Sequence, residues 1–206
     1  MSEPERQRRY PAIFNDITWY RSNVPCMQAC PVHTDSGRYV QLIGEGRYLE
    51  AFLVARSPNP LASICGRICA APCEDACRRN WTDEAVTIRS LKRFVTERHG
   101  AESARPDDYL SLKGDIADPG CSRPWHLSHL SSGASQRSGK VAVVGSGPSG
   151  LACAHDLVLM GYQVTIFEAL PLAGGMMRYG IPEYRLPRGV IDREIAVIQD
   201  LGAEIR

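Results

Sequence analysis

The chain has 206 residues, 44% of them hydrophobic, and its 24 Lys and Arg against 23 Asp and Glu leave a net charge of +1. Its length allows one large domain or two small ones, and so even a charge balance gives no global field for nucleic acid or an anionic membrane. No stretch approaches the ~20 consecutive apolar residues that span a bilayer. The N-terminus, MSEPERQRRYPAIFNDITWYRSN, is charged where a secretory leader would be apolar. A soluble cytoplasmic protein with reduced thiols is therefore expected.

The first hundred residues carry helical periodicity and most of the sulfur. PCMQACPVHTD supplies Cys26 and Cys30. SGRYVQLIGEGRYLEAFLVARSPNP sets Tyr39, Val40, Ile43, Tyr48, Phe52 and Leu53 at mostly three- and four-residue steps, broken at GEG. That pattern predicts two short helices, the second ended by SPNP. ICGRICAAPCEDAC then places Cys65, Cys69, Cys73 and Cys77 at an unbroken spacing of four. One helix would put them on one face, but Gly66 and Pro72 interrupt it. The segment reads as a loop wrapped around a ligand, with a short helix restarting near Cys73. AVTIRSLKRFVTERHG aligns Ile88, Leu91, Phe94 and Val95 on one stripe, with Gly100 as the stop.

Six clustered thiols admit disulfides, zinc or an iron–sulfur cluster. A reducing compartment disfavours the first, and six thiolates exceed one tetrahedral zinc site. Cys30-Pro31 also echoes the Cys-Pro ending of ferredoxin-type runs, so iron–sulfur is preferred. Lys92 and Arg93 read as solvated helix positions, or else as cations compensating a cluster's charge. His33 is either a local cap or a hydrogen-bond donor behind a ligand. Cys121 and Cys153 stand apart and read as bystanders, Cys153 packing behind the later glycine turn.

From Gly100 to about Lys140 the chain is rich in Ser, Gly, Pro and Asp without a sustained period, as in a linker that packs Tyr109, Leu110, Trp125 and Leu127. A βαβ pattern follows. KVAVVG reads as a parallel strand buried on both faces, Pro148 to Met160 as a helix, and YQVTIFE as a second buried strand. PRGVIDREIAVIQDLG is a further helix with Val190, Ile191, Ile195 and Ile198 inward, and AEIR begins a third strand.

The turn between the first strand and helix, VAVVGSGPSGLACA, has Gly145, Gly147 and Gly150 as G-x-G-x-x-G. In that setting Gly145 permits the tight turn, Gly147 admits a pyrophosphate to the backbone, and Gly150 lets helix and strand approach. Pro148 suits the first helical turn, and with Ser149 it opens a helix whose free amides hold phosphate. Glu168, closing the second strand, is placed to accept both ribose hydroxyls and would repel a 2′-phosphate. NAD and FAD share this fingerprint. Gly174 and Gly175 form a second backbone-accessible turn, which favours the longer ligand, FAD. Met176 and Met177 either edge a flavin or fill a core gap. Arg178 and Arg185 are candidate phosphate or flavin contacts.

CMQACPVHTD, NPLASICGRICAAPCEDAC, VTIRSLKRF, VAVVGSGPSGLACAHDL and AGGMMRYGIPEYRLP occur in this order from about Pro25 to Arg206. Together they resemble the glutamate synthase small (beta) subunit family of NAD(P)H-dependent FAD/iron–sulfur oxidoreductases, which is similar to the N-terminal part of dihydropyrimidine dehydrogenase. The resemblance implies an α-helical [4Fe–4S]-binding domain over 1–99, a linker over 100–139, and an α/β Rossmann-like, glutathione-reductase-type FAD-binding domain over 140–206, incomplete at the C-terminus. It implies electron transfer between NAD(P)H, FAD and a [4Fe–4S] cluster to an electron-acceptor protein or larger enzyme subunit, NAD(P)H binding in the complete enzyme. The family pattern opens with a further C-x-x-C, whose positions fall here at about Trp19 and Ser22, neither a good iron ligand. A cluster matching Cys26 and Cys77 thus lacks two ligands. The other matches Cys30, Cys69 and Cys73, and its fourth ligand, a glutamine in some relatives, aligns with Lys92. A protonated lysine cannot coordinate iron, so the fourth place falls to Cys26, Cys65 or Cys77. One cluster is expected, two with unusual ligation being the alternative. The barely begun third strand implies a piece of a longer polypeptide or a subunit completed by a partner. A non-catalytic docking module, with zinc or a structural cluster and a vestigial nucleotide fold, is the competing reading.

Overall fold

The computed structural model describes residue 19, residues 22–103 and residues 139–206. Cys121 and nearly all of the expected linker, with Tyr109, Leu110, Trp125 and Leu127, lie outside the described residues.

The N-terminal part is helical, as expected: α1 (Pro25–Ala29), α2 (Ser36–Gly44), α3 (Tyr48–Arg56), α4 (Ala62–Ile68), α5 (Pro72–Asp75), a 3₁₀ turn (Arg78–Trp81) and α6 (Ile88–His99). Local chemistry sets several of the ends. Pro25 and Pro72 open their helices where a missing N–H costs nothing. The Asp35 side chain accepts from Arg38 N (2.9 Å), capping α2. Tyr39, Leu42, Phe52, Ala55, Ile88 and Val95 form the core of this half. The buried Tyr39 hydroxyl donates to Ile88 O (3.2 Å) and so costs no unpaired polar group.

The cysteine run departs from the predicted loop. Gly66 does not interrupt α4; it lies inside it, where the helix crosses α6. A Cβ there would come within 3.0 Å of Arg93 Cα, so glycine is what the close crossing demands. The break comes later, at extended Cys69 and left-handed Ala71 (φ 60°), before α5 starts at Pro72 as expected.

The C-terminal part comprises β1 (Lys140–Val144), α7 (Pro148–Leu159), β2 (Gln163–Phe167), α8 (Met176–Tyr179), α9 (Arg188–Asp200) and β3 (Glu204–Ile205). The strands are parallel in the order β1-β2-β3, in register from Lys140↔Gln163 to Val144↔Phe167 and from Thr165↔Glu204 to Ile166↔Ile205. Val190, Ile191, Ile195 and Ile198 point inward as predicted, against Val143, Leu151, Val164 and Ile166. The strands, however, are buried on one face only. Val144 is 88% exposed, because α7 and α9 bury the Val143 face and the described residues leave the opposite side open. Cys153, expected to pack behind the glycine turn, is exposed on α7.

The two halves share their cores. Leu61 and Ile64, at the start of α4, pack into the sheet's cluster, and Val197 of α9 packs into the helical one. Between them lies Glu194, 0% exposed. It accepts from Arg56 Nη1 (3.0 Å) and from Ser63 N (2.8 Å). Arg56 also donates to Pro60 O (2.8 Å), so a buried charge pair with partial hydrogen-bond satisfaction ties α3 and α4 to α9.

Candidate functional site

Four thiols border one cavity of about 170 Å³: Cys30, Cys65, Cys69 and Cys73, beside Tyr39 and Lys92. They arrive from three elements. Cys30 caps α1, Cys65 lies on α4, Cys69 caps α4, and Cys73 belongs to α5. The left-handed Ala71 is what turns its amide back onto Cys69 Sγ (3.3 Å). Arg89 fixes the same hairpin to α6, its guanidinium donating to Cys69 O (2.7 Å) and its amide to Glu74 (2.7 Å). Among the described residues no three His, Cys, Asp or Glu side chains converge on a single ion; these thiols surround a space instead.

Burial and the closeness of the thiols to one another set the electrostatics of the cavity. Burial pushes the Cys65 thiol up, and burial with the neighbouring Cys30 and Cys69 pushes Cys73 up to about 11. At Cys30 burial acts upward too, but hydrogen bonds from Thr34 and Val32 and the charge of Lys92 outweigh it and hold the thiol below its ordinary value. Four thiolates so close repel one another unless a metal centre compensates them. The residues therefore fit an iron–sulfur cluster.

The remaining candidates stand elsewhere. Cys26 packs against the helical core and Cys77 precedes the 3₁₀ turn; neither borders the cavity. His33 hydrogen-bonds Met27 O through Nδ1 (3.1 Å), a contact with α1. Arg93 keeps its solvated place, paired with Glu97 (2.6 Å). Lys92 does not: it is only 9% exposed and faces the thiols.

The glycine turn is built from backbone. Gly145 adopts φ 89°, and a Cβ on Gly150 would lie 2.0 Å from Gly145 O, so both positions require glycine. A Cβ on Gly147 would meet open space, the room a phosphate needs at the start of α7, where Pro148 and Ser149 are exposed. Gly174 (φ 123°) and Gly175 (φ 50°) fold back onto this turn, a Cβ on Gly175 falling 2.8 Å from Gly147 Cα. Their link is Ser146, a buried residue the motif reading passed over. Its carbonyl and hydroxyl both accept from Gly174 N (3.1 and 3.2 Å). Its hydroxyl and its amide (2.9 Å) both donate to Glu168. The Ser146 hydroxyl, with the amides of Leu170 and Ser146, holds the Glu168 carboxyl at a pKa of about 2. Glu168 is thus a fixed anion at the end of β2. A small hydroxyl residue between the first two glycines was the only sequence signal for this hub.

Arg178 is placed differently from a free phosphate contact. It is buried, donates to Ala173 O (2.6 Å) and pairs with Asp192, bracing the Gly174–Gly175 turn against α9. Of the methionine pair, Met177 is buried in the core and Met176 is exposed.

Residues 20–104 match the family described as dihydropyrimidine dehydrogenase domain II, 4Fe–4S cluster, and residues 143–201 match the NAD(P)-binding Rossmann-like domain. The chain is 43% identical over 185 residues to the NADP(+)-dependent formate dehydrogenase subunit beta of Moorella thermoacetica. Over most of its length the chain is similar to such an oxidoreductase subunit. That alignment covers 88% of this chain and 25% of the relative. The NAD-dependent dihydropyrimidine dehydrogenase subunit PreT of Escherichia coli (strain K12) is 35% identical, covering 89% of this chain and 39% of its own length. The glutamate synthase [NADPH] small chain of Halomonas elongata is 34% identical, covering 88% and 34%. The chain thus spans between a quarter and two-fifths of these relatives. The predicted order, a helical iron–sulfur domain followed by a Rossmann-like domain, is the order found. No helix among the described residues is long and apolar enough to cross a membrane.

Proposed function

We propose that this chain is the electron-transferring part of a cytoplasmic NAD(P)H-dependent FAD/iron–sulfur oxidoreductase, delivering electrons to an acceptor protein or larger subunit. Residues 1–99 would form the cluster domain, 100–139 the linker, and 140–206 the first part of the FAD domain. The observation that carries the reading is the joining of the two sites. Cys65 lies on the same short helix, α4, whose Ile64 packs into the sheet's core. A cluster and a flavin in this chain would be held by one packed unit.

When bound, a flavin exchanges a two-electron hydride for the single electrons that a cluster relays. The chain's residues supply binding and charge. Cys30, Cys65, Cys69 and Cys73 are the proposed ligands of one [4Fe–4S] cluster, Cys65 taking the fourth place because, unlike Cys26 and Cys77, it borders the cavity. The free amides of α7 beside Gly147 hold the dinucleotide's phosphates, and Glu168 holds a ribose. Because Glu168 is ionised at neutral pH, it opposes a 2′-phosphate. This supports FAD at this turn and NADPH elsewhere in a complete enzyme, although the matched domain family is described by NAD(P). The second peptide turn at Gly174–Gly175 supports the same choice.

Anaerobic purification followed by iron, sulfide, zinc and flavin assays tests the proposal. Iron and sulfide at about four each per chain, the stoichiometry of one cubane cluster, with flavin in the complete protein, are expected. Stoichiometric zinc without iron or flavin would refute it.

A further inference from the structure

We propose that Lys92 is the fixed counter-charge of the thiol cavity and raises the reduction potential of the cluster bound there. This rests on the cluster reading above but goes beyond it, since ligation alone assigns Lys92 no role.

Lys92 sits on α6, among the inward positions Ile88, Val95 and Thr96 of that helix. Its ammonium lies 5.9 Å from the Tyr39 ring centroid, and Tyr39 is itself buried with its hydroxyl committed to Ile88 O. No carboxylate among the described residues pairs with Lys92. The acids and bases on neighbouring elements are engaged otherwise. Glu74 of α5 accepts the Arg89 amide, Arg89 donates to Cys69 O, and Arg93 pairs with Glu97. The ionisable groups left facing the same cavity as the ammonium are the thiols Cys30, Cys65, Cys69 and Cys73.

An ammonium held at low exposure beside the cavity is stabilised when the cavity's contents are negative. An all-thiolate cubane cluster is a dianion when oxidised and a trianion when reduced. A nearby cation stabilises the second state more than the first, and at low solvent exposure the effect is weakly screened. Lys92 therefore acts through the cluster's charge and not as a ligand.

The test is an anaerobic redox titration of the full chain with dithionite, one electron entering each cluster, followed by electron paramagnetic resonance and with iron and sulfide counted. Lys92→Met removes the charge at similar length, and Lys92→Arg keeps it. The midpoint of Lys92→Met is expected to move to more negative potential, with Lys92→Arg close to wild type. Loss of iron from Lys92→Met alone, with Lys92→Arg loaded, would equally support a charge requirement. An unmoved or more positive midpoint in loaded Lys92→Met would overturn the proposal. So would a fall in Lys92→Arg as large as that in Lys92→Met, or loss of iron from both variants with intact circular dichroism. A wild-type chain without iron and sulfide would sink the cluster reading itself, a different failure from an unshifted potential.

Discussion

The thiol cavity and the glycine turn hold their ligands by opposite means. At the turn almost everything is main chain: positive φ at Gly145, Gly174 and Gly175, a forbidden Cβ at Gly150, and amides at the start of α7. At the cavity almost everything is side chain, with four thiols from three elements and one lysine on α6. A backbone site tolerates no added atom at positions such as Gly150 and Gly175 but is indifferent to most side chains around it. A side-chain site tolerates shape changes but depends on each donor and on the charge it leaves uncompensated. What joins them is neither motif but α4 and the Glu194 contact.

The largest effects should come from the thiols. Cys69→Ser and Cys65→Ser are each expected to cut bound iron to near zero in anaerobically purified protein, whereas Cys77→Ser should leave it close to wild type. Iron loss in Cys77→Ser with retention in Cys65→Ser would reverse the ligand assignment. Next comes the seam. Glu194→Ala leaves Arg56 buried with Pro60 O as its remaining partner, one guanidinium nitrogen being already unpaired. That should cost about 3–5 kcal/mol of unfolding free energy, read from urea denaturation.

Gly150→Ala drives a methyl into Gly145 O and is expected to destabilise the turn by ~3 kcal/mol. It should abolish flavin retention in the complete protein while iron stays bound; simultaneous loss of both would mean that the two sites are not separately built. The smallest effect belongs to Glu168. Its folded pKa of about 2 lies below the ordinary 4.5, so its stabilising contribution is present above about 4.5 and fades as pH falls toward 2. Glu168→Gln should therefore lower stability by no more than about 1 kcal/mol at pH 7, given the exposure of the group. The gap from wild type should close near pH 2–3, as urea midpoints across pH would record.

The glycine turn was legible because its requirements are local. Gly145, Gly150 and the Gly174–Gly175 pair announce backbone conformations that no other residue adopts easily, and the apolar runs of β1 and β2 set the frame around them. Cysteine clustering, helix stripes and the inward face of α9 were equally plain, since period and residue type belong to single segments. Gly66 misled because the same residue type that breaks a helix also permits two helices to cross closely, and only the neighbour, Arg93, decides between them. Which thiols share a cavity, that Lys92 points among them, that Arg178 braces a turn, and that Glu194 ties two cores together were decided by tertiary structure alone. Each depends on the separation of side chains carried by different elements, a quantity that spacing along the chain does not encode.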